Sequence, residues 1–388
     1  MLDEILSQKL SQIKDTGLLR SLKLINSAPA ARVVINGKEY LNFSSNNYLD
    51  LAGNEEINKA AAEAVDKYGF GGASSRLVGG NLSIHEEIET KLAVFKNKEA
   101  ALLLPSGYQT NVGVISALCS MENSCVIMDK LNHASIWDGA KLSGARIFVY
   151  EHCDMNSFES VLKRAEKYKL KLAVTESIFS MDGDLAPLRD FAKLCQKYGA
   201  VSMVDEAHST GVFGKSGKGL AEEMGVSDEI DITIGTLSKA FAVQGGFVCG
   251  RQSLINYLIN KSRAFIYTTA VSPAIAGAAL KSLEIIKKSD DKRTLLFKNA
   301  QYLKNKLNAL GFKTGNSQSQ IIPVIIGTNE RTTQLSQILF ESGIYVPAIR
   351  FPTVPEGQSR IRISLTAGHN LSDLENMLRQ IRENREEI

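Results

Sequence analysis

Three short stretches place reactive side chains where apolar runs end. Lys239 closes Gly235-Thr236-Leu237-Ser238-Lys239, directly after the apolar run Ile230 to Ile234. Asp205 and His208 close Val201-Ser202-Met203-Val204-Asp205-Glu206-Ala207-His208. Leu103-Leu104-Pro105-Ser106-Gly107-Tyr108 runs from a strand into a glycine-containing turn, and His133 follows a further apolar run. A crowded lysine loses its proton near neutral pH and becomes a nucleophile toward carbonyls. An acid at a buried strand end can hold a protonated pyridine nitrogen, which turns the ring into an electron sink. Taken alone, Asp205 reads more readily as a helix cap or an ion-pair partner, and His133 equally well as a polar loop histidine. Gly107 and Tyr108 open a helix whose free N–H groups suit a phosphate. Thr236 and Ser238 add hydroxyls, and Ser180 is a further donor. Amine, acid, imidazole and phosphate turn together make the set that pyridoxal phosphate requires.

Such a set needs a scaffold that brings strand ends together. From about residue 101 the chain alternates short apolar runs with longer amphipathic ones. Seven runs read as strands: 101–104, 125–128, 146–149, 172–175, 201–204, 232–235 and 246–249. Helical patterns such as 157–168 and 188–198 lie between them. Apolar strands separated by helices predict an α/β fold with a mostly parallel sheet covered on both faces, and ligands in such sheets sit beyond the carboxyl ends. Ser106, Gly107, His133, Asp205, His208 and Lys239 all fall there.

Upstream, residues 1 to about 30 carry helical spacing of Ile5, Leu10 and Ile13, then Leu18, Leu19, Leu22 and Leu24, consistent with one or two helices. Asn36-Gly37 between apolar runs predicts a hairpin. A helix is expected over 55–68, then a loop bearing Gly69, Gly71, Gly72, Gly79 and Gly80 that lets the backbone approach something closely. Asp182-Gly183-Asp184 looks like the opening of a calcium loop, but no later ligands follow at that spacing, so it reads as a tight turn. Downstream of a long helix over about 273–288, the polar run 287–293 marks a boundary. A smaller α+β unit then carries strands near 321–326, 345–349 and 360–365 and a last helix from Leu371. The expected division is 1–45 helical segment and hairpin, 46–288 large unit, and 289–388 small C-terminal unit.

Composition narrows the function classes. The 388 residues carry a formal net charge of +3, with no dense Lys/Arg block, which argues against nucleic acid. No apolar run approaches the roughly 18 residues a membrane helix needs. Asp3 and Glu4 interrupt any signal-like start. Five scattered cysteines without CxxC spacing read as reduced thiols in a cytoplasmic protein, with no zinc site expected.

Several stretches resemble the α-oxoamine synthases, a family of fold-type I pyridoxal-phosphate enzymes. They are Leu41-Asn42-Phe43-Ser44-Ser45-Asn46, the run from Thr175 to Asp184, Val204 to Gly211, Gly235 to Phe241, and Pro352-Thr353-Val354-Pro355. They span nearly the whole chain in order. The resemblance implies a large, mostly parallel seven-stranded sheet domain with a smaller α+β C-terminal domain. It implies a decarboxylative condensation of an amino acid, here L-alanine, with an acyl thioester carried by coenzyme A or acyl carrier protein. Lys239 would hold pyridoxal 5'-phosphate covalently and shuttle the Cα proton. Asp205 would bind the pyridine nitrogen, His208 the phenolic oxygen, and His133 would stack on the ring. Gly107, Tyr108, Ser180 and Thr236 would hold the cofactor, joined by Thr268 and Thr269 of the second subunit in a homodimer with shared sites. Arg20, Asn46, His133, Thr353 and Arg362 would contact substrate, Arg362 pairing with the amino-acid carboxylate. Ala242 stands where relatives usually carry glycine, and Ala73 and Ser75 sit in a loop often richer in glycine. A sister reaction on glycine or serine, an aminotransferase, or a non-catalytic partner subunit are the alternatives; Lys239 disfavours the last.

Overall fold

Seven strands form the sheet that carries every strand-end residue named above. In the computed structural model, which describes residues 1–384, they run β3-β9-β8-β7-β6-β4-β5 across the sheet. Two strands precede them in the chain: β1 (Arg32–Ile35) and β2 (Lys38–Asn42). The sheet strands are β3 (Ala100–Leu104), β4 (Ser124–Asp129), β5 (Arg146–Tyr150), β6 (Leu170–Glu176), β7 (Val201–Asp205), β8 (Ile232–Thr236) and β9 (Gly246–Gly250). Only β9 runs antiparallel to its neighbours. Alternate residues feed different cores: Cys125 and Ile127 point to one, Val126 and Met128 to the other. Most strand positions are buried on both faces, which is why these strands are largely apolar rather than alternating; edge strand β5 is the exception, with Arg146 and Val149 exposed.

The hairpin closes as its sequence requires. Ile35 pairs with Lys38, and Asn36 and Gly37 take φ of 51° and 78°, the left-handed pair of a tight hairpin turn. Its β2 strand also pairs with β11 (Ile344–Tyr345), so the hairpin is tied to the C-terminal part of the chain. There, β10 (Ile321–Gly327), β13 (Ser359–Ser364) and β12 (Ala348–Ile349) make a second three-stranded sheet. The amino-terminal stretch yields one helix, α1 (Leu2–Asp15); residues 18–24 are not helical, having too few neighbours to nucleate a turn against.

Two further helices matter for the site. α4 (Gly107–Cys119) starts where β3 ends, with the Ser106 hydroxyl accepting from Gln109 N at 3.1 Å as its cap; α2 (Glu55–Tyr68) and α3 (Ser83–Lys96) precede it in the chain. α5 (Ala134–Ser143) starts directly after His133. The glycine-rich loop presses on the segment after Phe265: a side chain on Gly72 would meet the Ala270 Cβ at 2.8 Å. That is the close approach the glycines permit.

Candidate active site

The carboxyl ends of β4, β6, β7 and β8 bring Lys239, His208, Asp205, Glu176 and His133 into one cleft. Nζ of Lys239 lies 2.8 Å from Nε2 of His208. Nδ1 of His208 lies 2.6 Å from the Tyr48 hydroxyl, so both ring nitrogens are engaged. Asp205 is buried; its Oδ2 accepts from Asn111 Nδ2 at 2.7 Å and its Oδ1 from Ala207 N at 2.8 Å. The same Asn111 amide donates to Ser135 Oγ at 3.0 Å, and Ser135 Oγ lies 2.8 Å from His133 Nδ1. One hydrogen-bonded line therefore joins His133 to Asp205. Glu176 pairs in register with Asp205 across β6 and β7, and its Oε1 accepts from His133 N at 2.5 Å.

The charges in this cleft do not cancel in the ordinary way. Among the described residues no salt bridge reaches Lys239, Asp205 or Glu176. Burial lowers the Lys239 amine from its ordinary value to about 8, against the opposing pull of Asp205 and Glu176. Burial, then the Asp205 charge, pushes Glu176 up to about 8. His208 is held neutral by burial first and by Lys239 and Arg362 second. A buried carboxylate without a cation and an amine poised near neutrality are the chemistry a protonated pyridine bearing an aldehyde completes. The phosphate end fits as well. A Cβ on Gly107 would lie 3.3 Å from Thr236 Oγ1, so the start of α4 faces the Thr236 hydroxyl, itself 2.8 Å from Ser238 Oγ. The residues present thus match pyridoxal phosphate at its ring nitrogen, its aldehyde and its phosphate.

Arg362 is buried on β13 and reaches the cleft from the C-terminal sheet. Its Nε donates to Ser180 O, its Nη1 to Ser364 Oγ at 2.7 Å and its Nη2 to Asn46 Oδ1 at 3.2 Å. Asn46, Ser180 and Arg362 therefore meet at the edge of the cleft. Other anticipated residues stand apart. Tyr108 is exposed and its hydroxyl donates to Asp138 at 2.6 Å, so only its backbone joins the phosphate end. Arg20, Thr353 and Thr269 are exposed and Thr268 is half-buried, and among the described residues no hydrogen bond joins any of them to the Lys239 cluster. Sequence reasoning missed Asn111, Glu176 and Tyr48. Glu176 carried a readable signal, since it ends an apolar strand just as Asp205 does.

A second cluster surrounds His152. Its Nδ1 lies 2.9 Å from Asp129 Oδ1 and its Nε2 lies 2.8 Å from Asp184 Oδ2, with Cys153 alongside. Burial alone would lower its pKa, but the two carboxylates outweigh it and push it to about 12. An imidazolium donating from both nitrogens has no lone pair for a metal. Asp182-Gly183-Asp184 is a turn whose acids are taken: Asp182 by Arg360, Asp184 by His152.

Fold and cleft together define a pyridoxal-phosphate-dependent transferase of fold type I. The chain belongs to the aminotransferase class I and II family, whose model matches residues 38–381. Within that family it is similar to 8-amino-7-oxononanoate synthases. That of Thermoanaerobacter pseudethanolicus is 44% identical over 97% of this chain and 95% of its own length. That of Lysinibacillus sphaericus is 45% identical over 97% and 96%. A solved serine palmitoyltransferase from S. paucimobilis, with a bound adduct of PLP and myriocin, superposes with a TM-score of 0.92 at 31% identity, over 98% of this chain and 97% of that one. A solved 8-amino-7-oxononanoate synthase from Francisella tularensis gives 0.78 at 29%, over 90% and 98%. These likenesses place the chain in the α-oxoamine synthase group.

Proposed function

We propose that this chain is an 8-amino-7-oxononanoate synthase acting in biotin biosynthesis. It joins L-alanine to a pimeloyl thioester, releasing carbon dioxide and the free carrier. The observation that carries the reading is the Lys239 amine held 2.8 Å from a neutral His208, in a chain 42–45% identical to several enzymes of that name.

The bound cofactor supplies the electron sink that makes the α C–H bond of an amino acid breakable. The protein's own groups do the rest. Asp205, fixed in aim by Asn111 and Ala207 N, would keep the pyridine nitrogen protonated. His208 would hold the ring oxygen and His133 would stack on the ring. Gly107, Thr236 and Ser180 would hold the rest of the cofactor. Arg362 keeps N–H groups beyond those bound to Ser180, Ser364 and Asn46, and these take the alanine carboxylate. The Lys239 amine, at about 8, is a base whose strength matches neutral conditions and removes the Cα proton. The alanine Cα, relieved of that proton, would then bond to the thioester carbon as the carrier thiolate leaves. Loss of carbon dioxide and return of one proton complete the product.

Two subunits would share each site, with Thr268 and Thr269 reaching the partner's phosphate. The outer surface supports this: Phe70, Val78 and Tyr267 are 74%, 84% and 72% exposed, and the apolar side of α1 is bare in the single chain. We place the enzyme in the cytoplasm; among the described residues no helix is long and apolar enough to cross a membrane. Serine is the second substrate to consider, because the serine palmitoyltransferase backbone superposes more closely. Supplying pimeloyl thioester with alanine, glycine or serine, and identifying the product by mass, decides between them. Preference for alanine is expected; turnover confined to glycine or serine would overturn the substrate assignment.

A further inference from the structure

Tyr48 lies under the cleft, fully buried, in the turn-rich stretch before α2. Its hydroxyl stands between His208 Nδ1 at 2.6 Å and Asn46 Oδ1 at 3.1 Å. Asn46 Oδ1 in turn accepts from Arg362 Nη2 at 3.2 Å. With Lys239 on the far side of His208, one unbroken line connects two cations: Lys239, His208, Tyr48, Asn46, Arg362.

The direction of every bond in this line follows from its ends. Arginine only donates, so the Asn46 atom facing it is the carbonyl oxygen. The Tyr48 hydroxyl therefore donates to that oxygen and accepts from His208, which puts the His208 proton on Nδ1. Nε2 is then bare and accepts from Lys239. A cofactor ring oxygen at Nε2 inverts this demand, because that oxygen accepts and Nε2 must carry the proton. Nδ1 then becomes an acceptor, and only a group able to donate as well as accept can follow it.

We propose that Tyr48 is a positioning residue whose hydroxyl reverses direction, between Asn46 and His208, to match whichever His208 tautomer the cleft demands. The inference rests on the functional reading above, in that it assigns the ring oxygen to His208. Burial raises the Tyr48 hydroxyl above its ordinary value, although Arg362 and then Gln320 oppose it, so the hydroxyl retains the proton it must turn. Phenylalanine fills the same space but provides neither role.

The test is long-range ¹H–¹⁵N spectroscopy of ring nitrogens in the full chain with labelled histidine, His208 being assigned with His208→Gln. Without cofactor, wild-type His208 is expected to carry its proton on Nδ1; adding pyridoxal phosphate moves it to Nε2. In Tyr48→Phe the move is lost, and cofactor affinity falls about tenfold, the scale of one buried hydrogen bond left unmade. A proton on Nε2 before the cofactor is added, or a Tyr48→Phe protein with unchanged affinity and an unchanged move, would overturn the proposal. The cofactor-free wild-type spectrum needs no variant, so a misfolded Tyr48→Phe does not shield it. Wild-type protein that binds no pyridoxal phosphate sinks the functional reading instead.

Discussion

Nζ of Lys239 rests 2.8 Å from His208 Nε2, and among the described residues no carboxylate forms a salt bridge with it. Its nearest partner is a neutral imidazole rather than an anion. That is why burial, unopposed by a close pair, brings the amine to about 8. The nucleophile is the free amine, whose fraction rises tenfold per pH unit below the pKa and levels above it. Covalent uptake of pyridoxal phosphate by cofactor-free protein is therefore expected to accelerate from pH 6 to about 8 and then flatten. Stopped-flow absorbance measures this directly; a rate still climbing tenfold per unit at pH 9.5 would show an ordinary exposed lysine.

His152 ties the end of β4, which leads to His133, to the turn that carries Ser180. Its folded pKa is raised, so the folded state binds a proton that the unfolded chain releases near 6.5. Its stabilisation is complete below that value and declines as pH rises toward about 12. The melting temperature of wild type is expected to fall between pH 7 and 10, and that of His152→Gln to fall less. At pH 7 the variant loses about 3 kcal/mol, having left two buried carboxylates uncompensated. Identical pH slopes in the two proteins would contradict the doubly bonded imidazolium.

Ala73 and Ala242 have φ of 54° and 57°, a region that costs a non-glycine residue about 1 kcal/mol. The resemblance had marked both as places where glycine is usual, and the backbone supplies the reason. Ala242 closes the turn after Lys239, its N–H donating to Lys239 O at 2.9 Å. Ala242→Gly and Ala73→Gly are expected to be neutral or to stabilise by up to about 1 kcal/mol, whereas an alanine-to-glycine change in a helix loses about that amount. Thermal unfolding checks the sign; a drop beyond about 1 kcal/mol would mean the methyl groups pack rather than strain.

The exposed apolar groups Phe70, Val78 and Tyr267 lie on the glycine-rich loop and beside Thr268, the surface that the proposed dimer would cover. Sedimentation is expected to give about twice the 42.3 kDa of one chain. Tyr267→Glu is expected to shift the protein toward monomer and to weaken cofactor retention in parallel. A monomeric wild type with full activity would remove the shared-site arrangement.

Most of the scaffold could be read from residue order. The sheet strands are mostly apolar because all but edge strand β5 are buried on both faces, and Asn36-Gly37 supplied the positive φ its turn needs. Lys239, Asp205 and His208 were visible because each ends such a strand. What escaped was set by tertiary contact. Tyr48 sits in a polar stretch that looks like solvent-facing turn, yet it is buried because β13 and His208 close over it. Asn111 lies inside a helix with no local sign that Asp205 waits beside it. Of the one or two helices expected over residues 1 to about 30, one forms; Leu19, Leu22 and Leu24 lie outside it and stay exposed in the single chain. Arg20 and Thr353 remain tied to the site by resemblance alone.

The central claim is that Lys239 is the residue that carries the cofactor. Protein loaded with pyridoxal phosphate, reduced with borohydride to fix the attachment and then digested, can be mapped by mass spectrometry. The account predicts a single modified peptide with the added mass on Lys239. Modification spread over surface lysines, or absent from that peptide, would contradict it.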